Sequence, residues 1–250
     1  MVRIKSGEEI TRMRDAGKLA AEVLAYIEDF TREGVTTGRL DALCHEFIIR
    51  NGAVPAPLNY HGYPKSICTS INNVVCHGIP SNSVELKNGD IVNVDVTVIL
   101  NGYHGDTSKT FIIGEVPESV RLLVERTQNA MYRGIESVRP GCYLYEVGKA
   151  IEKYTSKFGY GIVSDYGGHG IGKLFHEDPH VYHFYTPQNR IRLKPGMCFT
   201  VEPMINMGGS EVVTSKTDGW TVTTKDNSLS AQFEHTVLVT ENSYEILTEL

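Results

Sequence analysis

The chain has 250 residues, of which 41% are hydrophobic and 22% charged, and a formal charge of -6 at pH 7. That length can bury a sizeable core as one large domain or two small ones, and no apolar stretch is long enough for a transmembrane helix. The acidic balance excludes a general attraction to nucleic acid or to an anionic membrane, leaving only a local basic patch as a route to either.

Residues 1–20 mix Arg3, Lys5, Glu8, Glu9, Arg12, Arg14 and Asp15 with apolar positions. No continuous apolar core of a secretory signal is present, so a cytoplasmic location is the expectation. Ser6 with Glu9 forms a capping-box pattern for a first helix over about 7–31, and a second helix is predicted over 36–50. Strands should dominate 65–114, helices follow at about 117–138 and 143–157, and strands should dominate again over 190–248. The cysteines Cys44, Cys68, Cys76, Cys142 and Cys198 are odd in number and form no CxxC pair. They read as reduced thiols rather than a disulfide framework or a thiolate zinc site.

A repeat lies beneath this order. "LKNGDIVNVDV" (86–96) matches "LKPGMCFTVEP" (193–203) at Leu, Lys and Gly, and the alignment sets Asp95 against Glu202. The same shift of 107 sets Gly34 on Gly141 and Gly52 on Gly159, each pair bracketing a predicted helix. No linker separates the halves, about 1–115 and 116–250. The expectation is a single domain, 1–250, of pseudo-twofold α+β architecture that brings Asp95 and Glu202 toward one centre.

"NVDVTVILNGYHGDTS" (93–108) reads as a β-hairpin turning at Asn101-Gly102. That turn sets Leu100 against Tyr103, Thr97 against Asp106 and Asp95 against Ser108, so both aspartates share one face. At roughly 7 Å and an effective dielectric near 20 they repel by about 2 kcal/mol, and more when buried. A positive group is expected between them.

Three further stretches, "GGHGIGKLFHEDPH", "TVEPMI" and "SAQFEHTVLV", add His169, Glu202 and Glu234. In the last, alternation predicts Gln232, Glu234, Thr236 and Leu238 on one face of a strand and Phe233, His235, Val237 and Val239 on the other. Four carboxylates and an imidazole suit two divalent ions such as Mn, Fe, Co or Zn, with Asp106 or a glutamate bridging. Two ions can activate a shared water and polarise a carbonyl, as a hydrolase requires. A purely stabilising metal, or surface charges without one, is the alternative. His77 in "VVCHGIP" and His176 in "KLFHEDP" are candidates to stabilise the oxyanion of such a reaction.

With "CHGIP", "VNVDVTVILNGYHGDTSKTF", "GGHGIG", "FHEDP", "VEPMI" and "SAQFEHT" in this order, the chain resembles the type I methionine aminopeptidases of the bacterial kind. The resemblance implies the α+β pita-bread fold and a dinuclear centre at Asp95, Asp106, His169, Glu202 and Glu234, bridged by Asp106 and Glu234. It implies hydrolytic removal of initiator methionine before a small second residue, with Glu202 as proton shuttle and His77 and His176 on the substrate and its tetrahedral intermediate. Tyr60, Tyr63, Cys68, Phe175 and Trp220 match the methionine pocket, whose rim departs from the family at Pro57. Asn72, Val74 and Ser230 match a monovalent-cation site for Na or K. The implied partners are nascent polypeptides beginning with Met, with room for ribosome association and no specific nucleic acid or membrane. A monomer is the default. The rivals are an Xaa-Pro peptidase using nearly the same ligands and a non-catalytic binding protein of the same shape, which would be expected to lose ligands.

Overall fold

The computed structural model describes residues 2–250. Helix α1 (Gly7–Glu28) begins at the predicted capping box: the Ser6 hydroxyl accepts from the Glu9 N–H at 3.3 Å, and the Glu9 carboxylate accepts from the Ser6 N–H at 2.9 Å. The helix ends earlier than expected, where the Phe30 N–H turns back to the Ile27 carbonyl. Helix α2 (Thr37–Arg50) is capped by the Thr36 hydroxyl, which accepts from the Arg39 N–H.

Strands β1 (Val54–Pro55), β2 (Cys68–Ile71) and β3 (Val74–Cys76) lead to the long hairpin of β4 (Ile91–Leu100) and β5 (Tyr103–Ile112). Its register is the expected one, with Leu100 opposite Tyr103, Thr97 opposite Asp106 and Asp95 opposite Ser108. Asn101 and Gly102 both take positive φ, 52° and 80°, as a two-residue turn with the twist of its strands requires. One face of β4 buries Val92, Val94, Val96 and Val98 against Leu19, Val23, Ile27 and Leu40 of the two helices. The alternation leaves Asn93, Asp95 and Thr97 on the opposite face.

The second half opens with α3 (Glu118–Ile135) and α4 (Tyr145–Thr155), each slightly shorter than predicted. The chain then forms β6 (Gly161–Ile162), β7 (Gly168–Gly170), β8 (Glu177–Val181), β9 (Cys198–Val201), β10 (Met204–Asn206), β11 (Val212–Thr214), β12 (Val222–Thr224), β13 (Ser230–Gln232), β14 (His235–Val239) and β15 (Tyr244–Ile246). Strands β1 and β6 to β8 fall outside the ranges expected to be strand. Segments such as "GHG" and "EDPHV" lack a β-branched run, so only tertiary pairing makes them strands.

Strands β15, β14, β9, β7 and β8 form a five-stranded sheet in that order. Phe199, Val201, Val237 and Val239 of this sheet pack on Leu123, Met131, Ile135, Val147 and Ile151 of α3 and α4. The glycine pairs at the 107-residue shift share left-handed backbone: Gly34 and Gly141, Gly52 and Gly159, and Gly89 and Gly196 all have φ between 71° and 96°. Strands β4 and β9 begin at the matching positions Ile91 and Cys198.

The strand expected through "AQFEHTVLV" is broken. Phe233 and Glu234 separate β13, which pairs with β10, from β14, which pairs with β9. The chain changes sheets at this point, so the two alternating faces are not continuous and Gln232, Phe233, Glu234, Thr236 and Leu238 are all buried. Glu234 instead pairs with the hairpin: its N–H donates to the Ser108 carbonyl at 3.1 Å, and its own carbonyl accepts from the Thr107 hydroxyl at 2.7 Å. The two halves meet along this seam.

Candidate metal centre and substrate cavity

A cavity of about 260 Å³ opens where the hairpin meets the second sheet, and Asp95, Asp106, His169, Glu202 and Glu234 all line it. Strand β4 supplies Asp95, β5 supplies Asp106, β7 supplies His169, the residue after β9 is Glu202 and the break before β14 holds Glu234. Ligand atoms of Asp106, His169 and Glu234 lie within 4.8 Å of one another. His169 Nε2 is 3.6 Å from Asp106 Oδ2 and 3.7 Å from Glu202 Oε1.

The proton positions in this cluster follow from its partners. His169 Nδ1 lies 3.0 Å from the Gly170 carbonyl oxygen, which can only accept, so Nδ1 carries the proton and Nε2 presents a lone pair. Burial, with His176 nearby, pulls the His169 pKa down to about 3. A neutral imidazole therefore turns its lone pair toward two carboxylates. Burial also raises the carboxylates: Asp95 to about 7, and Asp106, Glu202 and Glu234 well above their ordinary range, with Asp95 adding to Asp106 and Asp106 adding to Glu234. Glu234 Oε1 is buried without a hydrogen-bond partner among the described residues. Converging lone pairs, an orphaned carboxylate oxygen and a mixed oxygen and nitrogen donor set fit divalent cations.

Supporting residues absent from the sequence-based set hold these groups. The Thr97 hydroxyl donates to Asp106 Oδ1 at 2.7 Å. The Thr200 hydroxyl accepts from the His169 N–H at 2.9 Å and donates to Glu202 Oε1 at 2.6 Å. The Glu202 N–H donates to His183 Nε2 at 3.1 Å. Thr97 was findable, because the hairpin register sets it opposite Asp106. Thr200 lies two residues before Glu202, but nothing local marks it or His183.

The expected substrate residues also line the cavity: Tyr60, Tyr63, Cys68, His77, Phe175, His176 and Trp220, together with Pro57. Tyr63 is anchored through its hydroxyl, which donates to the Gly78 carbonyl at 3.0 Å, and Trp220 meets its ring edge-on at 5.2 Å. His77 takes a left-handed φ of 56°, a strained value for a residue with a side chain, and meets Tyr166 edge-on at 5.5 Å. Burial lowers the His77 pKa; burial and then His77 bring His176 down to about 4. Both are neutral near pH 7. The Tyr60 hydroxyl and His176 Nδ1 share a hydrogen bond of 2.8 Å. Cys76, Tyr166, His180, Met204 and Gln232 also line the cavity; Cys76, Met204 and Gln232 fall inside sequence motifs, whereas nothing local marks Tyr166 as a wall residue.

Asn72, Val74 and Ser230 lie elsewhere. The Ser230 N–H donates to the Asn72 backbone carbonyl at 2.8 Å, and the Asn72 side-chain oxygen accepts from the Ile91 N–H at 3.1 Å. Val74 is on β3, and Ser230 Oγ is buried without a hydrogen-bond partner among the described residues.

The sequence profile of metallopeptidase family M24 matches residues 11–241. The methionine aminopeptidase of Rickettsia prowazekii is 54% identical over 247 residues, covering 99% of this chain and 95% of that protein. The Escherichia coli K12 enzyme of the same name is 54% identical over 248 residues, covering 99% and 94%. Crystal structures of methionine aminopeptidases from Rickettsia prowazekii and Thermotoga maritima superpose with TM-scores of 0.97 at 54% and 38% identity, each covering 100% of both chains. A prolidase from Pyrococcus furiosus aligns at a TM-score of 0.78 and 25% identity, covering 99% of this chain but 65% of its own. The architecture shared with these structures is the α+β pita-bread fold.

Proposed function

This chain belongs to metallopeptidase family M24, and from that premise we propose that it is a methionine aminopeptidase that hydrolyses the bond after an N-terminal methionine and prefers a small second residue. The observation that carries this reading is the buried cluster of four carboxylates and a neutral histidine at the floor of a cavity walled by aromatic rings and a thiol. A flexible thioether fits such a wall. Family membership implies divalent metal ions. We assign Asp95, Asp106, His169, Glu202 and Glu234 as the residues that would hold two of them, Co, Mn, Fe or Zn. When bound, divalent ions lower the pKa of a shared water and polarise the scissile carbonyl.

The chain's own groups do the rest. Tyr60, Tyr63, Cys68, Phe175 and Trp220 receive the methionine side chain, and water is excluded as it enters. His77 and His176 meet the carbonyl oxygen and the charge that develops on it. Glu202 takes the proton of the attacking water and delivers it to the leaving amine nitrogen; its buried carboxyl has the raised proton affinity this needs. A bulky second residue collides with the cavity mouth.

Two finer assignments belong to the same proposal. Residues 1–250 form one catalytic domain of two related halves, about 1–115 and 116–250. Asn72, Val74 and Ser230 hold one Na or K ion, a role supported by the buried, unpartnered Ser230 Oγ. The enzyme acts as a cytoplasmic monomer on nascent chains beginning with methionine, within reach of ribosomes. No helix among the described residues is long and apolar enough to cross a membrane.

The test is release of methionine from a Met-Ala-Ser peptide by purified protein with and without chelator, then with Mn, Fe, Co or Zn restored. Release that chelator stops and metal restores, with Met-Lys peptides cut far more slowly, is the expected result. Equal cleavage of Met-Ala and Met-Lys peptides, or preference for Xaa-Pro peptides, would sink it.

A further inference from the structure

Among the described residues, only one of the two ring nitrogens of His176 has a hydrogen-bond partner. Nδ1 lies 2.8 Å from the Tyr60 hydroxyl, the one side-chain hydrogen bond either group makes among the described residues. The ring is held in that orientation by stacking. Phe175 lies against it at 4.4 Å with 23° between the planes, and His104 stacks on Phe175 at 5.6 Å and 21°. His104 is itself pinned to the same loop, because its backbone N–H donates to the Gly172 carbonyl at 2.9 Å and its Nδ1 lies 3.0 Å from that oxygen. Since the ring also lines the cavity, Nε2 is the nitrogen left to meet a substrate.

A phenol and a neutral imidazole can share a hydrogen bond in two arrangements. Either Tyr60 donates to Nδ1 and Nε2 carries the N–H, or Nδ1–H donates to the phenol oxygen and Nε2 is a bare acceptor. A peptide carbonyl, and the oxyanion it becomes, can only accept, so only the first arrangement puts a donor where charge develops. The first is also favoured locally. An imidazole nitrogen is a stronger base than a phenol oxygen, and the reverse arrangement would leave the phenolic O–H without an acceptor among the described residues.

We propose that Tyr60 is a positioning residue: by donating its hydroxyl to Nδ1 it fixes His176 in the Nε2–H tautomer and so presents a hydrogen-bond donor to the substrate carbonyl oxygen. The assignment rests on the aminopeptidase reading for its purpose, but not for its observation. It separates two jobs within one side chain, since the ring of Tyr60 walls the methionine pocket while its hydroxyl sets the chemistry of His176.

The test is nitrogen-15 NMR of the histidine-labelled full chain, zinc-loaded and metal-free, with His176→Asn identifying the resonances. In the unaltered protein, His176 should show an unprotonated, hydrogen-bonded Nδ1 and a protonated Nε2. Tyr60→Phe keeps the ring, so the His176 signal should move toward a tautomer mixture and kcat on Met-Ala-Ser should fall about tenfold, with KM changed by less than about twofold. A protonated Nδ1 donating to Tyr60 in the unaltered protein overturns the proposal, whatever the variant does. So does a Tyr60→Phe protein whose tautomer and kcat are unchanged, or one that loses only KM, which would make Tyr60 pocket wall alone. The spectrum needs no turnover. The expected tautomer in a protein that releases no methionine upholds the assignment and refutes the proposed activity.

Discussion

The two halves of the molecule present their carboxylates by different means. In the first, Asp95 and Asp106 stand on an unbroken hairpin paired from Ile91 with Ile112 to Leu100 with Tyr103 and closed by a two-residue turn. In the second, β9 and β14 pair only from Cys198 with Leu238 to Val201 with His235, and residues 202–234 run between them. A tight turn fixes two carboxylates with little sequence and leaves no room for anything else. The long connection frees its residues to build β10 to β13 and to carry Trp220 and Gln232 into the cavity wall. The hairpin is therefore a rigid holder, and its counterpart is both holder and pocket.

If both halves serve one centre, Asp106→Ala and Glu234→Ala should each lower kcat/KM by about a thousandfold or more. Each should also reduce bound metal on elemental analysis, and robust activity in either protein would mean that its half is dispensable. The carboxylates from both halves also predict a shared pH response in metal-free protein. Their folded pKa values are raised, Asp95 from 3.8 to about 7, so the folded state favours the protonated forms. Below about 6.5 the lowered pKa values of buried His169 and His176 act in the opposite direction, so the carboxylates show alone above it: there the stability of the metal-free chain should fall as pH rises through about 7 and beyond, and added divalent metal should cancel the loss. Thermal melts at pH 6.5 and pH 8, with and without metal, read this directly.

The N-terminal arm crosses between the halves. The Lys5 N–H donates to the Gly196 carbonyl, and the Lys5 ammonium pairs with Glu177 at 2.5 Å, both side chains being 4% exposed. Lys5→Met removes the near partner of a buried carboxylate, leaving Glu177 only the exposed Arg3 guanidinium at 3.9 Å, at a cost of about 3 kcal/mol and a fall in Tm of about 10 °C. No change in Tm would show that the arm is not part of the joint. Smaller again are the threonine supports. Thr200→Val, which strips contacts from both His169 and Glu202, should cost about 10–100-fold in metal affinity by titration, and Thr97→Val, with one contact to Asp106, less.

The smallest effect separates the connections themselves. Gly102→Ala forces a side chain into φ 80° and should cost about 1–2 kcal/mol in denaturant unfolding, whereas one residue inserted beside Gly219 in the long connection should cost a few tenths. Equal costs would remove the contrast between a holder and a pocket builder.

The fold and site were unevenly legible before the structure. The hairpin register, the capping box at Ser6 and the shift-related glycines could be read because each depends on neighbours in sequence. The break at Phe233 and Glu234 could not, since it arises where β13 and β14 join different sheets, and a run of buried residues looks the same with or without such a switch. Strands β7 and β8 were hidden because "GHG" and "EDPHV" carry no β-branched run, and pairing with distant strands alone makes them strands. Thr200, His183 and Tyr166 support or wall the site by meeting partners distant along the chain, which no local pattern encodes.

Periodicity and turn chemistry are local, so the sequence alone specified the helices, the central hairpin and the shared face of Asp95 and Asp106, and its motif order carried the family likeness. Which atoms converge is not local. The approach of His169 and Glu234 to Asp106, the lone pair of His169 turned toward carboxylates and the 2.8 Å contact between Tyr60 and His176 exist only because two sheets pack across one seam. Contacts between residues far apart in the chain are set by how whole faces fit together, and that fit belongs to the tertiary structure.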